Sequence, residues 1–364
     1  ARLLQTAPGG ETAVLTSLLG GAEGVRVAGN HNRVLGNTMK RCGYAGVNNV
    51  GNFTIISGNT ITDGHNGINN YGNATIENNT VENWTTRGIC IYYCSATISG
   101  NILRSTRGLE GMFIIGSSGT ISNNIFENIP SCALYMYDSS GILLENNRFI
   151  GNRLGLLLDQ NSNTTLRRNI FENNLEGLGV RGYRVSDFVH DIDNSNTVDG
   201  RPIFYSVGEN NQELDGQDFG YIGLVSCENV AVRNMRLRRN YQGLLLADVR
   251  SALVENVAAT DSDYGLYVFS SENITVLASI LGGNIYGVGL GYSSDFRILG
   301  NRIENSSSTG VDVYESSGIT ISGNRFVGNE TSVYCYNTSG LVAENNLIRN
   351  GESSGLELCG DTFT

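Results

Sequence analysis

The chain has 364 residues, 47 of them Gly and 3 Pro, with 16% charged residues and a net charge of −11. That length holds either two or three ordinary domains or one long repeat array. An acidic chain whose one lysine is Lys40 argues against nucleic acid or an anionic membrane as partner, and no run of 18 apolar residues offers a transmembrane segment.

The start, "ARLLQTAPGG", lacks Met and has no basic-then-apolar signal, so it reads either as a processed end or as a boundary cut within a longer protein. The following "GETAVLTSLLGG" (10–21) predicts a short amphipathic helix. Residues 1–23 are therefore expected to be an N-terminal cap over the open end of a repeat core.

From residue 24 a phrase recurs every 22 or 23 residues, with one step of 20. Aligned on the Asn before its last apolar patch, it gives Asn37, Asn59, Asn79, Asn101, Asn124, Asn147, Asn169, Asn234, Asn256, Asn301, Asn324 and Asn346. Asp191 and Ser279 fall at two of the missing periods. Most phrases open on Gly, as in "GLLLA" (243–247), "GLYVF" (265–269) and "GVDVY" (310–314), with Ala133, Tyr221 and Ser332 at three of those places, and have apolar residues at the second and fourth places. Alternation of period two means strand, with those two places facing inward. A second alternating pair and a short third patch follow, separated by Gly, Ser and Asn turns. The expected fold is all-β: a single-stranded right-handed parallel β-helix of about 15 coils, three short strands per coil. The recurrent Asn would stack as a ladder at one turn. Residues 24–364 form this solenoid, with an irregular loop insertion at about 183–220, where the phrase lapses. The last coil, "GLELCGDTFT", reads as an open end. Open strand edges suit self-association or a neighbouring surface protein.

The repeats, with "NTVDGRPIFY" (196–205) and "GYIGLVSCENVAVRNMRLRRNYQGLLLADV" (220–249), resemble the NosD-like, carbohydrate-binding and sugar hydrolase superfamily of β-helix repeats, of the archaeal surface-layer type. The resemblance covers about residues 24–360 and implies an extracellular or cell-surface protein. It is specific for fold and weak for function, because one coil serves many activities.

NosD-type proteins are associated with copper delivery. Copper asks for His, Met and thiolate, yet His31, His65 and His190 fall in separate coils and Met112 and Met136 at core places, so no metal or cofactor is expected. Asp191 and Asp193 are at most a two-carboxylate calcium contact. "CIYYC", with Cys90 and Cys94, lacks structural-zinc spacing, and seven Cys leave at least one unpaired. The motifs of β-helix hydrolases and lyases are missing too. The nearest constellation is Asp159 and Arg181, at the outward fifth place of successive coils, beside a loop with His190, Asp191 and Arg201. A carboxylate, an Arg and a His could form an acid/base site; the simpler alternative is an ion pair on a solvated sheet.

The outward third and fifth places carry a clearer pattern: Tyr71, Tyr92, Phe113, Tyr135 and Tyr137, then Tyr267, Phe269, Tyr314, Tyr334 and Tyr336. Such a face suits sugar rings or protein assembly, or the rings stack to stabilise the sheet. Sequons at Asn52, Asn73, Asn78, Asn83, Asn163, Asn273, Asn305, Asn329 and Asn337 fit an extracellular chain. The sequence thus reads as a secreted or cell-surface protein that uses one β-helix face for assembly or polysaccharide contact. The alternative is a polysaccharide lyase, epimerase or glycosidase acting around Asp159, Arg181 and His190.

Overall fold

The computed structural model describes residues 2–4, 12–13, 18–105 and 107–360. They form a right-handed parallel β-solenoid of about 16 turns, three strands to a turn. Contacts divide it into two compact units: Ala1–Asp191 with Ser195–Gly200, and Ile192–Asn194 with Arg201–Thr364.

In the first unit a typical coil has strands at Asn66–Asn70, Ala74–Glu77 and Thr80–Glu82, and the next has them at Arg87–Tyr92, Ser95–Ser99 and Ile102–Arg104. Equivalent strands pair in parallel and in register, so like residues stack. Ile68, Ile89, Met112, Leu134, Leu156 and Leu178 form one inward column of the first sheet. On the third sheet Phe126, Phe149 and Phe171 stack at centroid distances of 4.9 and 4.7 Å, all of them fully buried. Those distances equal the strand spacing, about 4.8 Å, so the solenoid pitch itself brings the rings to contact distance.

Gly takes the second place of most first-sheet strands for a steric reason. A Cβ on Gly67 would lie 2.3 Å from the Gly88 carbonyl oxygen and 2.3 Å from Val81. The chain turns into the sheet there with no room for a side chain.

The turn into the third sheet explains the Asn column. In the first unit the residue before the ladder Asn has a left-handed backbone: Gly36, Gly58, Asn78, Gly100, Asn123, Asn146 and Arg168 have φ of 53–66°. Gly and Asn tolerate this best. The next residue is the buried Asn. Asn59 Nδ2 donates to Asn79 Oδ1 at 2.9 Å and to the Val34 carbonyl at 2.9 Å, and Asn79 Oδ1 also accepts from the Asn59 amide. The ladder runs unbroken through Asn37, Asn59, Asn79, Asn101, Asn124, Asn147 and Asn169 to Asn196. In the second unit Asn301, Asn324 and Asn346 continue the same pattern, with Ser279 donating its amide to Asn301.

Three positions differ from the sequence alignment. Asp191 is not a rung: it is exposed, its carboxylate pairs with Arg167, and Asn196 takes the slot. Asn234 and Asn256 are exposed at the left-handed position, φ 56° and 52°, with Met235 and Val257 in the buried slot after them. In both coils a hydrophobe replaced the rung, so an alignment on Asn slipped by one residue.

In the predicted cap helix the described residues are strands. Thr12–Ala13 pairs in parallel with residues Arg33 and Val34, and Leu18–Leu19 with Met39 and Lys40. The rest of the N-terminal expectation, residues 1, 5–11 and 14–17, lies outside the described residues. The irregular segment after Arg181 holds a 3-10 turn, Val185–Phe188, with Phe188 fully buried and Asp187 accepting the amides of Tyr183 and Arg184 at 3.0 Å. Strands resume at Asp191–Ile192 and Thr197–Val198, and the second unit begins its own first sheet with Arg201–Val207.

Candidate functional site

The outer face of the first sheet is built from the third- and fifth-place columns and the residues flanking them. In the first unit these hold a chain of aromatic contacts. Tyr71 stacks on Tyr92 at 4.7 Å, Tyr92 meets Phe113 edge-on at 6.2 Å, and Phe113 meets Tyr135 at 5.5 Å. Tyr137 shares their face, half-exposed. Arg87 lies 4.0 Å over the Phe113 ring and donates to Glu110 at 2.8 Å. Cys90, although outward, is fully buried, and burial pushes its thiol up to about 12. This thiol is inert at neutral pH. All seven cysteines are free.

Asp159 and Arg181 are register partners and form an ion pair. Tyr135 Oη donates to Asp159 Oδ2 at 2.8 Å. This is not a pair on a solvated sheet, for the Asp159 side chain is only 2% exposed. His190 does not join them. It precedes a second-sheet strand, is 4% exposed, and its Nδ1 accepts the Thr164 amide at 3.4 Å. Burial lowers its pKa to about 4. Asp159 is therefore sealed from a polymer passing over the face, and the imidazole belongs to another sheet. Arg201 lies in the second unit and lines a different surface. Among the described residues no three His, Cys, Asp or Glu side chains converge on a metal-sized site. His31 stacks on Phe53 at 4.9 Å, and His65 bonds the hydroxyls of Thr85 and Thr86.

In the second unit the same face carries two aromatic rows. One is Tyr241, Tyr264 and Tyr286, with Tyr264 stacked on Tyr286 at 4.8 Å and 5.8 Å from Tyr241. The other runs from Phe269 through Tyr292 and Tyr314 to Tyr336, at 5.6, 5.6 and 5.2 Å. Phe269 is buried at 5% exposure, whereas Tyr314 and Tyr336 are exposed. Between the rows runs the third-place column Tyr267, Gly289, Asp312, Tyr334 and Glu357. The lack of a side chain at Gly289 matters: a Cβ there would lie 2.7 Å from the Tyr264 ring. At Gly291 a Cβ would meet nothing within 4 Å. The strip between the rows is filled at Gly289 by the Tyr264 and Tyr267 rings and open at Gly291, a tyrosine-flanked trough.

Asp312 sits in that trough, half-buried. Burial raises its carboxyl from 3.8 to about 6. Its charge in turn raises the phenols of Tyr264 and Tyr334, though burial is the larger cause for both. It makes no hydrogen bond or ion pair to any described residue. A partly desolvated carboxylate without a partner is costly, and its remaining exposure lets a ligand reach it.

Sequence reasoning missed Tyr241, Tyr264, Tyr286 and Tyr292. Tyr264 and Tyr286 immediately precede the opening Gly of their strands, and the alternation breaks at that Gly, so counting by twos from it does not turn them outward. The signal was the "YG" dipeptide repeated at one period, Tyr264–Gly265 and Tyr286–Gly287.

Among solved structures, the Streptococcus pneumoniae surface protein and adhesin PfbA is similar over 93% of this chain and 91% of its own, at 10% identity and TM-score 0.32. The A-module of the Azotobacter vinelandii mannuronan C-5 epimerase AlgE4 is similar over 90% of both chains, at 13% identity and TM-score 0.29. The tailspike of E. coli bacteriophage HK620, solved with a pentasaccharide, is similar over 96% of this chain and 66% of its own, at 8% identity and TM-score 0.33. No curated protein matches. The family description "Right handed beta helix region" matches residues 67–213 and 221–363 without distinguishing a NosD-like or surface-layer subgroup, and the chain belongs to the right-handed β-helix family.

Proposed function

We propose that the protein is a glycan-binding β-helix acting outside the cytoplasm, with a polysaccharide lying in the tyrosine trough of the second unit. The observation that carries this reading is Asp312, a half-buried carboxylate with no protein partner between tyrosine walls. Tyr rings stack on the apolar faces of sugars, and a carboxylate accepts their hydroxyls. A negative charge on the floor selects neutral or amino sugars over uronates. Self-assembly through this face fits less well, because a dry interface would bury Asp312 unpaired. Sequon residues Asn52, Asn73, Asn78, Asn163, Asn273, Asn305 and Asn337 are exposed, which suits a glycosylated extracellular chain.

The test is calorimetric titration with a panel of neutral and amino-sugar oligosaccharides. At least one binds, and Asp312→Asn and Tyr334→Ser each weaken it about tenfold. A panel without a binder, or affinity unchanged by both substitutions, would overturn the reading.

A second reading is favoured by the raised carboxyl. Raised to about 6, Asp312 holds a proton through mildly acid pH, where a general acid of glycoside hydrolysis could act. Glu357 lies two coils further along the same column, about 10 Å away by strand spacing. Release of reducing ends by the wild type, abolished in Asp312→Asn, would promote this reading over simple binding.

A further inference from the structure

The third sheet of the second unit has a recess of about 440 Å³ among Arg201, Arg236, Arg238, Asp218, Ala258 and Thr260. Three arginines meet there in a chain of net charge −11. Arg236 and Arg238 are exposed, and neither side chain makes a hydrogen bond or ion pair with any described residue. Arg201 is held more firmly. Its side chain is 17% exposed, Nη1 donates to the Arg236 carbonyl at 3.3 Å, and Nη2 is buried without a partner. The nearby anion is Asp218, 3.8 Å from Arg201 Nη1 and itself 82% exposed, too solvated to satisfy that guanidinium.

The room for a ligand comes from register. Arg236 pairs with Ala258, and Arg238 with Thr260 and then Gly282 on successive coils. Small residues beside two long cationic arms leave a floor over which the guanidinium groups can close.

We propose that this recess binds a single oxyanion group, the carboxylate, sulfate or phosphate of a small ligand or chain end. Guanidinium forks match two oxygens of such a group at once. When the exposed Arg236 or Arg238 arm swings aside, the group supplies the acceptor that Arg201 Nη2 lacks. The Arg236 and Arg238 side of the recess lies on the third sheet, away from the tyrosine trough, and the proposal does not rest on the glycan reading.

Titration of the full chain at low ionic strength, followed by NMR or calorimetry, tests this with sodium glucuronate, inorganic sulfate and inorganic phosphate, and glucose as the uncharged control. At least one anion binds saturably and glucose does not. The double variant Arg236→Gln with Arg238→Gln melts like the wild type and binds that anion at least about tenfold more weakly. Glucuronate alone assigns a carboxylate site, and sulfate with phosphate alone assigns a tetrahedral one. No saturable binding of any of the three anions, or equal affinity in wild type and double variant, overturns the proposal.

Discussion

Asn at adjacent positions of one turn does two different jobs. Asn147 is fully buried; its Oδ1 accepts the Asn124 amide, and its Nδ2 donates to the Ile121 carbonyl and to Asn169 Oδ1. Asn256 is exposed and is there because its φ of 52° disfavours most side chains. Asn147→Ala should therefore cost about 1–3 kcal/mol by stranding buried backbone groups, whereas Asn256→Gly should stay within about 0.5 kcal/mol. Denaturant melts of the two variants measure this, and equal losses would refute the division of roles. The repeat phrase announced the Asn turn but not which Asn faced inward, because the two places are neighbours and a hydrophobe can occupy the buried one.

Among strands, the first sheet depends on glycine where it enters most coils. Gly67→Ala would set a Cβ against the carbonyl of the coil above, and overpacking against backbone costs about 1–3 kcal/mol or more. Gly291→Ala, in the same sheet but facing open space, should change stability by less than about 0.5 kcal/mol. Comparable melting losses for both would show that close coil approach does not explain the recurrent Gly. Period-two reading placed the third and fifth columns outward, as the register has them. It could not show that Asp159 and Phe269 would be covered while Asp312 stayed accessible. Cover comes from side chains one or two coils away, such as Tyr135 over Asp159, which no local pattern encodes.

At the scale of the molecule, Asp312 in one unit and His190 in the other respond to acid in opposite directions. Folding raises Asp312 from 3.8 to about 6, so its contribution favours the folded state at pH 4 and is lost as pH rises through 6. Folding lowers His190 from 6.5 to about 4, so its contribution is present above pH 6.5 and is lost as pH falls through 4. Through these two groups, acidification from pH 7 to pH 4 should strengthen the second unit and weaken the first. Asp312→Asn should raise stability at pH 7 by about 1–3 kcal/mol and leave it unchanged at pH 4. Hydrogen exchange at Ile142–Glu145 and Ser317–Ser322, corrected for intrinsic rates, follows the units separately. Equal gains from Asp312→Asn at both pH values, or parallel changes in the two units, would contradict this.

The amino-acid sequence by itself determined the solenoid, its period, its three strands per coil and its inward hydrophobic columns. Each coil repeats the same local choices, and stacking converts a one-dimensional pattern directly into neighbours in space. The functional surfaces were settled only by tertiary structure. Asp312 meets tyrosines from other coils, Arg201 meets Arg236 and Arg238 across a corner of the solenoid, and His190 turns inward after an irregular segment. Those meetings depend on register, burial and backbone turns between coils, and the repeat phrase is silent on all three.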